Sequence, residues 1–135
     1  MTQESSGVIA SQSQDPFTPD CPGREVFNHI TNRWALLILA ALRDGPLRFH
    51  LLRDRVGGIS EKMLSQTLKV LGRDGLVHRS VEPTIPPQVS YELTEIGAEL
   101  SEQFADLIQW MGRRVPDILL AQQTHDEAMS GRPRQ

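Results

Sequence analysis

Residues 57–94 read GGISEKMLSQTLKVLGRDGLVHRSVEPTIPPQVSYELT, and within them the hydrophobic period changes from helical to two. Gly57 and Gly58 make a tight turn. Ser60 is placed to cap a helix, because its hydroxyl accepts one of the N–H groups that a first turn leaves unpaired. Glu61 in that turn suits the positive end of the helix dipole. Leu64, Leu68 and Leu71 then fall at i, i+4 and i+7 on one buried face, with Lys62, Gln66, Lys69 and Arg73 on the opposite face. Asp74-Gly75 stops the helix. Beyond it, residues 76–82 and 88–94 alternate as strands. Their connection, PTIPP, has three prolines in five residues, and none of the three can donate to a ladder. The strands therefore form a hairpin with a stiff tip.

Upstream of this stretch a short helix is expected from about Phe49 to Val56, with Phe49, Leu52 and Val56 inward. Before it, WALLILAAL at residues 34–42 is apolar nearly all round and reads as a buried central helix ended by Asp44-Gly45-Pro46. The ordered part begins near Cys21. Pro22 suits the first turn of a helix, and Val26, Phe27 and Ile30 give it an apolar stripe. Downstream, Thr94 is placed to cap a last long helix. Leu100, Phe104, Leu107, Ile108 and Met111 recur there at i, i+4, i+7, i+8 and i+11, and Pro116 should kink or end it.

Residues 1–20 and 124–135 lack periodicity and read as a disordered N-terminal arm and a flexible tail. The expected organisation is arm 1–20, one domain 21–115, and a helix end with tail 116–135. The fold class is α+β, mainly helical. Helix, helix, short helix, tight turn, helix, hairpin, helix is the order of a winged helix-turn-helix.

Charge and composition narrow the function. The net charge of −3 speaks weakly against a protein that coats nucleic acid, but the charge is unevenly spread. Residues 43–81 hold eight basic side chains, including both lysines of the chain, against Asp44, Asp54, Glu61 and Asp74. That +4 segment inside an acidic chain fits a local phosphate-facing surface, the plain alternative being solvated helix faces. The longest apolar run has nine residues, whereas a membrane span needs about 20. The opening MTQESSGVIASQSQDPFTPD has no basic or apolar signal region, so a cytoplasmic location is expected by default.

His29, His50, His78 and His125 have no metal-site spacing. No phosphate loop, nucleophile elbow or carboxylate pair appears. Neither an enzyme nor a cofactor is expected.

The recognition chemistry lies on the first two turns of the helix after Gly58, which normally meet base edges: Ser60, Glu61, Lys62, Ser65 and Gln66. Gln66 suits adenine N6 and N7, and Lys62 suits guanine O6 or N7. Lys69, Arg73, Arg79 and Arg48 are better placed for phosphate. For each the plain alternative is a solvated surface charge, and Ser60 is equally served by capping alone.

From Cys21 to about Arg114 the chain resembles the HxlR-type winged helix-turn-helix regulators, relatives of the MarR family. The resemblance rests on CP at 21–22, NRWALLILAAL at 32–42, DGPLRF at 44–49, GISEKMLSQTLKVL at 58–71, DGLVHR at 74–79 and PPQVSYELTEIG at 86–97. His50 and Gly72 depart from the Asn and Glu common in the family. The resemblance implies a homodimer on an inverted-repeat operator, held by the first and last helices. Val26, Phe27, Leu100, Phe104, Leu107, Ile108, Trp110 and Met111 would then lie at the interface. The last helix supports this independently, because its stripe, continued by Trp110, offers more apolar surface than one small body needs.

The resemblance also aligns Cys21 with the N-terminal cysteine used by redox-sensing members. Position before a helix N-terminus, with Arg24 one turn away, favours a partly exposed thiolate open to oxidants. The alternative is an inert small hydrophobe. With one cysteine in the chain, a bridge between two different cysteines is excluded. Two other classes remain open: a regulator gated by a small aromatic effector held between the last helix and the DNA-binding body, and a winged helix used as a protein-interaction module.

Overall fold

A computed structural model describes residues 15–131. Helices α1 (Pro22–Ile30) and α2 (Arg33–Ala41) are followed by a 3-10 turn at Leu42–Asp44 and a two-residue strand β1 (Leu47–Arg48). Then come α3 (Phe49–Arg55), α4 (Glu61–Arg73), β2 (Val77–Glu82), β3 (Gln88–Leu93) and α5 (Glu95–Met129). The three antiparallel strands lie in the order β1-β3-β2.

Local chemistry sets the ends of α4. Ser60 accepts from the Met63 N–H at 3.0 Å. At the other end Gly75 takes φ +76°, a backbone conformation open to glycine at little cost. That turn lets the Leu76 N–H reach Leu71 O at 2.9 Å and the Gly75 N–H reach Gly72 O at 3.1 Å. The pair of bonds is a Schellman motif, with Leu71 and Leu76 buried across it. Leu64, Leu68 and Leu71 face inward as the period requires, joined by Thr67, whose hydroxyl donates to Met63 O at 2.7 Å.

The core is built from α2, the 3-10 turn, α3 and α4: Ile38, Leu39, Leu42, Leu52, Leu64 and Leu71 are almost wholly buried. Each such side chain stabilises the fold by roughly 1.5–3 kcal/mol relative to exposure. Ser101 on α5 is buried with them and donates to Leu39 O at 2.7 Å, so the α2 backbone meets α5 through a satisfied polar contact. Arg43 bonds Glu102 at the surface nearby and holds that carboxyl below its ordinary range. The small stabilisation from this exposed pair is complete above the ordinary carboxylate range and lost as pH falls through the lowered folded value.

Four features differ from the sequence expectations. The strand β1 has no periodic signal because it is two residues long, yet it pairs Leu47 with Tyr91 and Arg48 with Ser90. Pro116 does not end α5, which runs on to Met129 through most of the stretch expected to be a flexible tail. Glu127, Ala128 and Met129 are good helix formers and offset the weaker Thr124, His125 and Asp126, and the stretch has no glycine or proline to break the helix. Residues 15–20, expected to be disordered, form a turn against Cys21, with the Thr18 N–H bonded to Asp15 O at 3.1 Å. The rest of the expected arm, 1–14, and the last four residues lie outside the described residues.

The chain divides into two compact units at Glu102 and Gln103. The first holds the winged helix-turn-helix elements and the first two turns of α5. The second is the remainder of α5, a helix with Leu107, Ile108, Trp110, Met111, Ile118, Leu119 and Leu120 all at least 40% exposed.

Gly72 sits inside α4, where a Cβ would meet only Val77 O, at an ordinary 3.8 Å. Alanine fits there and restricts the unfolded chain, so Gly72→Ala is expected to raise the free energy of unfolding by up to about 1 kcal/mol, read from urea melts.

Candidate nucleic-acid interface

The two helices of the helix-turn-helix, α3 and α4, are joined by residues 56–60, in which Gly58 takes φ +89°. Arg53 on α3 and Glu61 in the first turn of α4 form an ion pair at 2.6 Å across that turn. Glu61, expected among base-reading residues, is thus drawn toward α3. Arg53 escaped the sequence reading because a pairing eight residues apart, across a turn, follows no helical spacing.

The structure brings Lys62, Ser65, Gln66 and Lys69 together on the exposed face of α4, at i, i+3, i+4 and i+7. Among the described residues none of the four has a carboxylate partner. Arg79 lies on the face of the sheet turned toward α4, opposite Tyr91 in the β2–β3 register. Arg48 stands apart as the residue preceding α3, exposed and paired through its backbone with Ser90. Arg73, in the last turn of α4, lies 3.9 Å from Glu25 with both side chains exposed. A pair of that kind contributes little and leaves Arg73 available to phosphate.

The far end of α4 is tied to α1. Asp74, its C-cap, lies 2.7 Å from His29 Nδ1, and both side chains are largely sheltered. An acid at a helix C-terminus opposes the dipole, and the imidazole partner offsets that placement. With the Arg73–Glu25 pair, two contacts link the helix that carries Cys21 to the helix that carries the polar stripe.

Cys21 caps α1: Sγ accepts from the Arg24 N–H at 3.2 Å, and the thiol reaches the carbonyls of Thr18 at 3.1 Å and Asp15 at 3.3 Å. Two expectations for this residue are corrected. Cys21 is 8% exposed, so its thiol is not the partly exposed one expected; the carbonyls of Asp15 and Thr18 in the preceding turn receive it. The Arg24 guanidinium donates to Pro16 O and Phe17 O, and it is the Arg24 backbone N–H that bonds sulfur. Of the expected interface residues, Val26 and Phe27 on α1 and Leu107, Ile108, Trp110 and Met111 on α5 are exposed, while Leu100 and Phe104 are half-buried.

An exposed polar helix presented by a helix-turn-helix and flanked by a hairpin defines a winged helix-turn-helix transcriptional regulator, a class that is generally not enzymatic. The chain belongs to the HxlR-like helix-turn-helix family, whose model matches residues 29–118. It is 48% identical to the HTH-type transcriptional regulator YtfH of Escherichia coli (strain K12) over 103 residues, 76% of this chain and 82% of that one. The structure of the transcriptional regulator ytfH from Salmonella typhimurium superposes with a TM-score of 0.76 at 45% identity, covering 81% of this chain and 97% of the other. The oxidised form of the redox regulator HypR superposes with a TM-score of 0.64 at 32% identity, covering 69% and 96%. No helix among the described residues is long and apolar enough to cross a membrane.

Proposed function

We propose that the protein is a homodimer that binds an inverted-repeat operator in double-stranded DNA and represses by occupying it, with Cys21 as its point of oxidative control. The observation that carries the DNA reading is the convergence of Lys62, Ser65, Gln66 and Lys69 on one exposed face, without acid partners among the described residues. In this reading α4 enters the major groove, with Lys62 and Gln66 on base edges and Ser60, Glu61 and Ser65 beside them. Lys69, Arg73, Arg79 and Arg48 hold phosphates. The simplest output of such a body is occupancy of a promoter.

The dimer reading is supported by the exposed apolar side chains of α1 and of the distal part of α5, which a monomer would leave in water. Leu100, Phe104, Leu107, Ile108, Trp110 and Met111 supply the α5 side of that interface.

Oxidative control is supported by the position of Cys21 at the cap of α1, the helix tied to α4 through His29–Asp74, and by the likeness to HypR. Because the thiol is covered, an oxidant acts only when the 15–20 turn opens. Two thiols then join, from Cys21 of two copies or from Cys21 and a small thiol, and the oxidant takes up two electrons and two protons.

The test is selection of bound genomic fragments with the full chain, reduced and after diamide, for wild type and Cys21→Ser. The expected result is recovery of inverted repeats whose half-sites lie about one DNA turn apart. Diamide should lower recovery for wild type and leave Cys21→Ser unchanged. Recovery of no preferred sequence overturns the operator reading, direct repeats or single sites overturn the symmetric dimer, and equal loss in both proteins overturns control by Cys21.

A further inference from the structure

Arg53 and Glu61 meet across the turn between α3 and α4, where Glu61 Oε2 accepts from Arg53 Nη1 at 2.6 Å. The turn between them is anchored. Val56 and Ile59, on either side of the two glycines, are 3% and 6% exposed, and Ser60 caps the Met63 N–H. Glu61 lies one helical turn before Ser65, at i and i+4, so it borders the polar stripe on the side of α3. Its side chain is 70% exposed against 38% for Arg53, which makes the acid the outer member of the pair. Only Oε2 is engaged; among the described residues Oε1 has no hydrogen-bond partner.

On a surface that meets phosphates an unpaired carboxylate is repelled. The Arg53 guanidinium cancels that charge and fixes the orientation of the carboxylate, while one oxygen stays open to accept. We propose, resting on the DNA reading above, that Glu61 reads a cytosine in each half-site through this oxygen, and that Arg53 is the positioning residue for the contact. The chemistry selects the base. An ionised carboxylate can only accept, and in the major groove the bases that offer N–H donors are cytosine, at N4, and adenine, at N6. Adenine sets the N7 lone pair beside its amino group, where it opposes a carboxylate, whereas cytosine carries no acceptor on that edge. Guanine and thymine turn acceptors toward the groove and would face Glu61 with like partial charge.

The expected effect is confined to one position in each half-site. Glutamine at residue 61 both donates and accepts, which matches adenine N7 and N6, so Glu61→Gln should move the preference at that position from cytosine to adenine. Arg53→Gln should flatten the position, since the carboxylate is then neither held nor neutralised, and Arg53→Lys, which keeps the charge, should retain most of the preference. Positions read by Lys62 and Gln66 should keep their bases in all three variants.

The test is selection from random-sequence duplexes with the full reduced chain, for wild type, Glu61→Gln, Arg53→Gln and Arg53→Lys, with urea melts beside it. Wild type should favour cytosine at one position of each half-site by about tenfold or more. Glu61→Gln, a change of one exposed group, keeps the test decisive if an Arg53 variant does not fold. An unchanged base profile in Glu61→Gln overturns the proposal, and with altered melts it would leave the pair as a tie across the turn. Loss of affinity for all sequences alike in Arg53→Gln, with a shallower dependence on salt, also overturns it, because Arg53 would then be a phosphate contact. A wild-type chain that selects no sequence overturns the operator reading along with the cytosine contact, whereas a defined operator with no base change in Glu61→Gln removes the cytosine contact alone.

Discussion

Lys62→Ala combined with Gln66→Ala is expected to reduce affinity for the selected operator by about 100-fold or more while leaving the protein folded. A good bidentate contact between a side chain and a base edge contributes about 1–3 kcal/mol of discrimination, and a dimer would lose two such contacts in each half-site. Binding should fall to the level seen with unrelated DNA and no further, because Lys69, Arg73, Arg79 and Arg48 remain to neutralise phosphates. That residual binding should keep its steep dependence on salt. Stability should change by no more than about 0.5 kcal/mol. Both side chains are exposed on α4 without carboxylate partners among the described residues, and alanine is the best helix former. Mobility shifts with operator and scrambled duplexes, beside a urea melt, decide it. Undiminished preference for the operator would move the reading surface off this face of α4.

Gly97→Ala is expected to cost about 3 kcal/mol or more, the largest effect of an added methyl group at any of the described glycines. A Cβ at Gly97 would sit 1.9 Å from Leu76 O and 2.9 Å from its carbonyl carbon. Both are backbone atoms, so no rotamer change relieves the clash. The same carbonyl accepts the Thr94 N–H at 3.1 Å. The Thr94 hydroxyl donates to Gly75 O at 2.6 Å and accepts the Gly97 N–H at 3.1 Å. Forcing the first turn of α5 away from Leu76 therefore strains the cap of α5, the end of β3 and the Schellman turn of α4 together. Overpacking usually costs about 1–3 kcal/mol, and a backbone-on-backbone clash belongs at or above the top of that range. The thermal midpoint should fall by roughly 10 °C or more, since each kcal/mol shifts a domain of this size by about 4–8 °C. An unchanged midpoint would mean that α5 does not start against Leu76.

These two substitutions differ in how far each was legible in the sequence. The stripe of Lys62, Gln66 and Lys69 opposite Leu64, Leu68 and Leu71 is a matter of 3.6-residue spacing, and the structure keeps it. The caps at Ser60 and Thr94 and the glycine stop at Gly75 were legible for the same reason, because each depends on backbone groups within a few residues. Gly97 gave no comparable signal. A glycine near the start of a helix is locally a mild weakness, and its role appears only when Leu76, twenty-one positions earlier, is folded against it.

The same division holds at the thiol. Cys21 preceding Pro22 predicts a residue at a helix cap, and the sulfur does cap α1. Exposure is another matter. A residues 15–20 segment rich in Pro and Asp has no period that announces order, yet its carbonyls at Asp15 and Thr18 receive the thiol and those at Pro16 and Phe17 receive Arg24. Arg24 looked like a thiolate partner from its distance along the chain alone. The carbonyl acceptors that engage its guanidinium were not visible there.

By itself, then, the sequence determined the order of the elements, the buried and polar faces of α4, the hairpin with its proline tip and the membership of the HxlR-like family. The elements, the faces of α4 and the hairpin follow from periodicity, capping and turn chemistry, which act over one or two turns of chain, and the family from the resemblance of whole segments. Tertiary structure alone decided the pairing of β1 with β3, the His29–Asp74 tie between α1 and α4, the seat of Ser101 under Leu39 and the covering of Cys21. His29 and Asp74 are 45 residues apart, and Leu39 and Ser101 are 62 apart. Contacts at such separations are chosen by how whole faces pack and by which buried polar groups must find partners, and no local pattern encodes that choice.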